Sequence, residues 1–346
     1  MTGSQDQADL RGRADDHRAR LRELRSLLER RGDTAAVLTA RRNLAWLTAG
    51  GSTHVLQSSE STAAAMLVTG DDVVVITQNI EAARLEDEEL RGLDLEVAAV
   101  PWWEPEAIDA EVRRRLPTGA PVARDLDLEP NLVGSRSALS ALDRERLMGL
   151  GATAREALEA TMETAIPGMS EDDLVADLLG RLPGCRAPVV LAAADARIPL
   201  YRHPLPGATP IRTRVMVVLV AERWGLHVAL TRIREFEPPD AELRRRIEAV
   251  VEVQAAMHAA TRPGLTFGDV FEAARAAYAA AGYADAWREH HQGGTIGYQA
   301  RERIATPGDP TVIDPGMAFA WNPSIAGAKA EDTMVLDDGA ARLVTA

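Results

Sequence analysis

One junction occurs twice in this chain. Ile166-Pro167-Gly168-Met169-Ser170 closes one long helical pattern and opens another, and Arg262-Pro263-Gly264-Leu265-Thr266 does the same 96 residues later. Proline ends a helix because it lacks an N–H donor and crowds the preceding turn. Ser170, with Asp173 three residues on, matches a capping box that starts the next helix. Helix–Pro-Gly–cap–helix is a common way to join two helices; repeated, it also fits a duplicated α/β unit. Around the junctions, helical spacing covers 143–166, 170–182, 244–261 and 267–281. Strand-like runs cover 188–193, 215–220, 226–232, 318–321 and 333–336. Upstream, residues 9–135 form a separate mixed α/β pattern, with a helix at 9–31 and a hairpin around Gly70-Asp71-Asp72. The small, polar stretch 135–142 separates the two. The expected domains are therefore 1–138 and 139–346, both of the α/β (α+β) class.

Composition narrows the function classes. A net charge of −13 with interspersed basic residues gives no basic stripe for nucleic acid or anionic membrane. No apolar run is long enough to span a bilayer. The polar, mixed-charge start MTGSQDQADLRGRADDHRAR is unlike a signal peptide, so a cytoplasmic location is expected. Cys185 is the sole cysteine, which excludes a disulfide framework and a cysteine-based zinc site. The 39 basic residues include a single lysine, Lys329. In so arginine-biased a chain, that position is expected to need lysine's own chemistry, since the two side chains differ in shape and pKa range.

Several segments together resemble one family. Arg42-Asn43-Leu44-Ala45-Trp46-Leu47-Thr48, the duplicated junction and Gly327-Ala328-Lys329-Ala330-Glu331-Asp332-Thr333 are similar to segments of the creatinase/prolidase/aminopeptidase P family. The resemblance covers most of the chain. It implies a creatinase-like N-terminal domain followed by a pseudo-symmetric "pita-bread" (M24-type) domain, commonly in a homodimer. Family peptidases hold two divalent metals with two Asp, one His and two Glu. By this resemblance, the first Asp falls on Val218 or Val220, the second on Ala229, the His on Gly294 and the first Glu on Asn322. Only Glu331 survives. One carboxylate and one amide are a poor donor set for a dinuclear centre, so no metal and no cofactor are expected.

Other polar residues fall where the family brings its site together. Arg202-His203-Pro204 resembles the segment bearing a substrate-side histidine, which implies proton transfer by His203. Strand alternation puts His227, Ala229 and Thr231 on one face, aiming His227 at the pocket. His290 matches the first histidine of a glycine-rich segment; alternation lets only one of His290 and His291 face a given site. Gln292, Tyr298 and Asn322 add uncharged hydrogen-bonding groups, and Arg301 is a candidate grip for a substrate carboxylate. Lys329, two residues before Glu331, is a candidate for binding a carboxylate or stabilising an oxyanion. Each also has a plain structural reading, as a sheet-rim histidine, a solvated arginine or a surface ion pair. Taken together, the expected catalytic residues are His203, Glu331 and Lys329. Arg202, His227, His290, Gln292, Tyr298, Arg301 and Asn322 are the expected substrate-binding residues.

Three functions compete. The first expectation is a metal-independent enzyme that hydrolyses a C–N bond in a small nitrogen-containing metabolite, as creatinase does. The alternatives are a non-catalytic protein binding a ligand or peptide in the same cleft, and an Xaa-Pro metallopeptidase with an unusual ligand set.

Overall fold

The computed structural model describes residues 2–337 and 340–346, with side chains from residue 9 onward. The chain divides into two compact units, one ending at Arg136 and the other starting at Ser137. No helix among the described residues is long and apolar enough to cross a membrane.

The first unit begins with the long helix α1 (Thr2–Arg31), whose Leu21, Leu24, Leu27 and Leu28 are buried at helical spacing. A five-stranded sheet follows, ordered β4-β3-β2-β1-β5, from β1 (Ala35–Ala40), β2 (Ser61–Thr69), β3 (Val73–Gln78), β4 (Glu96–Val100) and β5 (Val122–Arg124). The β1–β2 and β2–β3 pairs are antiparallel, while β3–β4 and β1–β5 are parallel. Val37, Leu67, Val74 and Ile76 build a core on one sheet face. Asn43, fully buried, donates to Asp125 at 2.8 Å and accepts from Arg136 at 2.6 Å, so this asparagine organises the unit's interior.

The second unit carries the duplication. Helix α2 (Ala141–Thr164) leads through Pro167-Gly168 into α3 (Glu171–Gly180), and α4 (Ala241–Ala260) leads through Pro263-Gly264 into α5 (Phe267–Ala280). Both second helices start with a full capping box, Ser170 with Asp173 and Thr266 with Asp269. The two junctions dock on their own halves in the same way. Gly168 N donates to Ile211 O and Gly264 N to Ile313 O; Ile211 N returns to Met169 O and Ile313 N to Leu265 O. Equivalent isolated bridges join Ser170 to Pro210 and Thr266 to Val312. Repetition at this level is a property of a duplicated unit and not of one helix–helix joint.

Each half contributes a sheet. The first is β6 (Arg186–Ala194), β7 (Arg214–Arg223) and β8 (Leu226–Glu235), all antiparallel. The second is ordered β10-β9-β11-β14-β15, from β9 (Gly293–Ile296), β10 (Arg303–Ile304), β11 (Ala318–Trp321), β14 (Asp332–Asp337) and β15 (Ala340–Leu343). A short hairpin, β12 (Ser324–Ile325) and β13 (Ala328–Lys329), projects from it. The edge of β8 meets β14: Ala229 N donates to Thr333 Oγ1, and that hydroxyl donates back to Ala229 O. Helices α4 and α5 cover the second sheet with Val253, Met257, Phe267 and Phe271 against Phe319 and Trp321.

Ser170→Ala and Thr266→Ala should each lower stability by about 1 kcal/mol, because each removes a cap from an otherwise orphaned helix N-terminus. A fall in the urea midpoint of each variant, with the slope unchanged, is the expected reading.

Candidate functional site

The seam between the two sheets of the second unit holds a buried carboxylate. Glu331, 2% exposed, leaves β13 just before β14. Its Oε2 receives Lys329 Nζ at 2.8 Å and Thr231 Oγ1 at 2.8 Å, and its Oε1 receives Arg301 at 2.7 Å. The main chain closes the same seam, Thr231 N donating to Glu331 O at 3.0 Å. Burial pushes the Glu331 carboxyl upward, but Lys329 and Arg301 outweigh it and hold the group down at about 2. Two cations on one carboxylate leave surplus positive charge at this point.

Beside it stand three imidazoles. His203 comes from the loop before β7, held by Ala192 N donating to Pro204 O, while His290 and His291 precede β9. His203 Nε2 lies 3.2 Å from His290 Nε2. His290 Nδ1 lies 2.5 Å from the carbonyl of His291. A carbonyl only accepts, so His290 carries its proton on Nδ1 and presents a lone pair at Nε2. In the neutral pair, His203 therefore donates from Nε2. Burial lowers all three: His203 downward, with Lys329 adding to it; His290 to about 4; His291 to about 3, helped by His290 and Arg301. The rings are neutral near pH 7.

His290 and His291 both turn toward His203, contrary to the alternation expected from an extended chain. Their ring centroids are 4.3 Å apart, and those of His203 and His291 are 6.3 Å apart. Face alternation is enforced inside a ladder, and these residues lie outside one. They sit between a 3₁₀ turn at Ala286–Glu289 and Gly293, whose φ of +99° turns the chain into β9.

A small pocket opens here, lined among others by Tyr201, Arg202, His290, Ser324, Gly327 and Lys329. Arg202 sits at its rim in an ion pair with Glu289. Asn322 is buried and lies opposite Glu331 where the β11–β14 ladder continues, since Trp321 pairs with Asp332 and Ala330 N reaches Pro323 O. Its Oδ1 has no hydrogen-bond partner.

Other expected site residues are placed elsewhere. Gln292 is fully buried; it accepts from Tyr278 at 2.8 Å and donates to His290 O at 2.6 Å, so its amide holds the histidine segment in place and does not face a ligand. Tyr298, 2% exposed, donates to Asp143 at 2.6 Å, the residue that completes the capping box of α2 with Ser140. His227 N donates to Gly297 O, and the His227 ring lies 3.1 Å from the same carbonyl; it does not line the cavity. Arg301, expected to grip a substrate carboxylate, is bound to Glu331. Two members went unassigned in the sequence: Thr231, on the face that alternation picks out, and His291, signalled only by its neighbour.

The positions that the resemblance assigns to metal ligands do not fit a dinuclear centre. Val218, Val220 and Ala229 offer no donor, and both Glu331 oxygens are engaged by cations or a hydroxyl. Gly294 is tighter still: a Cβ there would sit inside the van der Waals shell of the Arg303 carbonyl, so a histidine needs β10 to move. Among the described residues, the one group of three or more His, Cys, Asp or Glu with metal-binding spacing is His203, His290 and His291.

Comparison with known proteins agrees with the architecture. A family model described as metallopeptidase family M24 matches residues 146–338, and one described as the creatinase/prolidase N-terminal domain matches 20–141. A probable dipeptidase PepE of Mycobacterium bovis is 30% identical over 190 residues, 51% of this chain and 50% of the relative. The match thus spans about half the length of that curated relative. Among solved structures, dipeptidase PepE from Mycobacterium ulcerans superposes with a TM-score of 0.77 at 19% identity, covering 96% of each chain. The prolidase from Pyrococcus horikoshii OT3 gives 0.78 at 17% identity, covering 94% of this chain and 97% of the other. At these identities the structural matches show the fold.

Lys329→Met should destabilise the protein by about 1–3 kcal/mol, because it takes a charge-assisted hydrogen bond from a buried carboxylate that keeps Arg301 and Thr231 as partners. It also raises the Glu331 pKa. Glu331 is lowered when folded, so its stabilisation is full above about pH 4.5 and fades as pH falls toward about 2. In the variant that loss begins at higher pH, and an acid-unfolding titration should show the midpoint moving upward.

Proposed function

This chain belongs to metallopeptidase family M24, and from that premise we propose that its cleft hydrolyses the C–N bond of a small, dipeptide-sized substrate bearing a free carboxylate. The observation that carries the reading is the junction of a neutral histidine pair with a buried carboxylate that holds two cations, beside a small pocket that Lys329 and His290 line. The surplus positive charge suits an anion. The dipeptidase and prolidase relatives favour a peptide over the creatine-type metabolite first expected from the sequence.

The roles follow without the two-metal centre, for which the donor set is missing. His203 takes a proton from the attacking water and returns one to the leaving nitrogen, a task suited to an imidazole that is neutral at working pH. Lys329 faces the cavity and meets a carboxylate or the oxyanion that develops on the attacked carbonyl. Glu331 and Arg301 fix the Lys329 ammonium, and Gln292 and Tyr278 fix the segment bearing His290. A homodimer, as the resemblance implies, is part of this proposal.

The test is a panel of Xaa-Pro and other dipeptides incubated with the full chain, products being read by mass spectrometry and stoichiometry by native mass spectrometry. His203→Ala should lower kcat/KM by about 10²–10⁴-fold with the fold intact by circular dichroism. Dipeptides that raise Tm yet are recovered whole would replace hydrolysis with a binding-only function.

A further inference from the structure

We propose that His203, His290 and His291 form a site for one divalent transition-metal ion of the zinc class, outside the positions that the family resemblance assigns to metal. The inference concerns the same cleft as the hydrolase reading but does not rest on it.

The geometry is that of a three-imidazole site. One donor atom from each ring lies within 4.8 Å of the other two. The His203–His290 Nε2 separation of 3.2 Å is close to the ~3.3 Å edge of a tetrahedron whose metal–nitrogen bonds are about 2.0–2.1 Å. His290 is already oriented as metal-bound histidines are, its second nitrogen donating to a backbone carbonyl. That bond is local, since the carbonyl belongs to His291, so the two neighbouring rings are set as a unit. His291 Nδ1 is buried with no hydrogen-bond partner. A cation ligated at that nitrogen would give it the partner it lacks.

The chemistry selects the ion. An all-imidazole set suits zinc, copper, nickel or cobalt and disfavours magnesium and calcium, which require oxygen donors. The rings are neutral near pH 7, so ligation need not displace protons from them. His203 is exposed at the mouth, which leaves an entry path and an open fourth position. Lys329 and Arg301, with Glu331, add a net positive charge nearby, so the fourth ligand is expected to be an anion, either hydroxide or a carboxylate. Metal ligation would occupy the His203 ring that the hydrolase reading uses for proton transfer; binding itself is therefore the quantity to measure.

The experiment titrates chelator-stripped full-length protein with Zn²⁺ by calorimetry and native mass spectrometry, and with Co²⁺ by visible absorption. One equivalent per chain is expected, with the visible bands of four-coordinate cobalt. His291→Ala and His203→Ala each remove a ligand and should each weaken binding by more than the ~10–100-fold that loss of a ligand's supporting partner costs, with unchanged circular dichroism. His258→Ala, on α4, serves as the control and should retain the site. Absence of stoichiometric binding overturns the proposal, as does binding that survives in His203→Ala/His291→Ala. Peptide turnover in a protein that binds no metal would leave the hydrolase reading standing and remove this one.

Discussion

The second unit is organised around one buried carboxylate. Glu331 ties its neighbour Lys329 on β13 to two pieces of chain distant in sequence, Thr231 on β8 and Arg301 before β10. Burying a charge is costly, and the cost is offset only when its lone pairs are filled by well-placed donors. Here each oxygen has its cation, and one also has a hydroxyl. The same contact zips the β8 edge to the second sheet, with the Ala229–Thr333 exchange one step along the ladder. Sheet docking and site electrostatics are therefore one interaction.

At this seam two side-chain cations meet Glu331, while Val218, Val220, Ala229 and Gly294 stand at other positions that the family resemblance assigns to metal ligands. Gly294 packs so closely under the Arg303 carbonyl that the backbone there leaves no room for a side chain.

The histidine cluster depends on buried support. Gln292 bridges Tyr278 and the His290 carbonyl, and Tyr278 also accepts Ser324 N. These bonds hold the 290–292 segment between α5 and the β12 turn. The loop carrying His203 then brings the third ring across. Neutral imidazoles at this spacing serve either proton transfer or metal ligation, and the two uses draw on the same lone pairs.

Much of the architecture was legible along the chain. The duplicated junction, the two α/β parts and the family resemblance rest on local signals such as proline, glycine, caps and periodicity, which act within a few residues. The lone lysine was also readable as special, since Lys329 and Glu331 are two positions apart. Tertiary structure decided the rest. Arg301 and Thr231 reach Glu331 across 30 and 100 residues, Tyr298 turns inward to Asp143 across 155, and His203 meets His290 across 87. A polar residue's type states what it can bond. Whether it finds a ligand or another part of its own chain depends on which strands are brought edge to edge, and that is set by the packing of the whole unit.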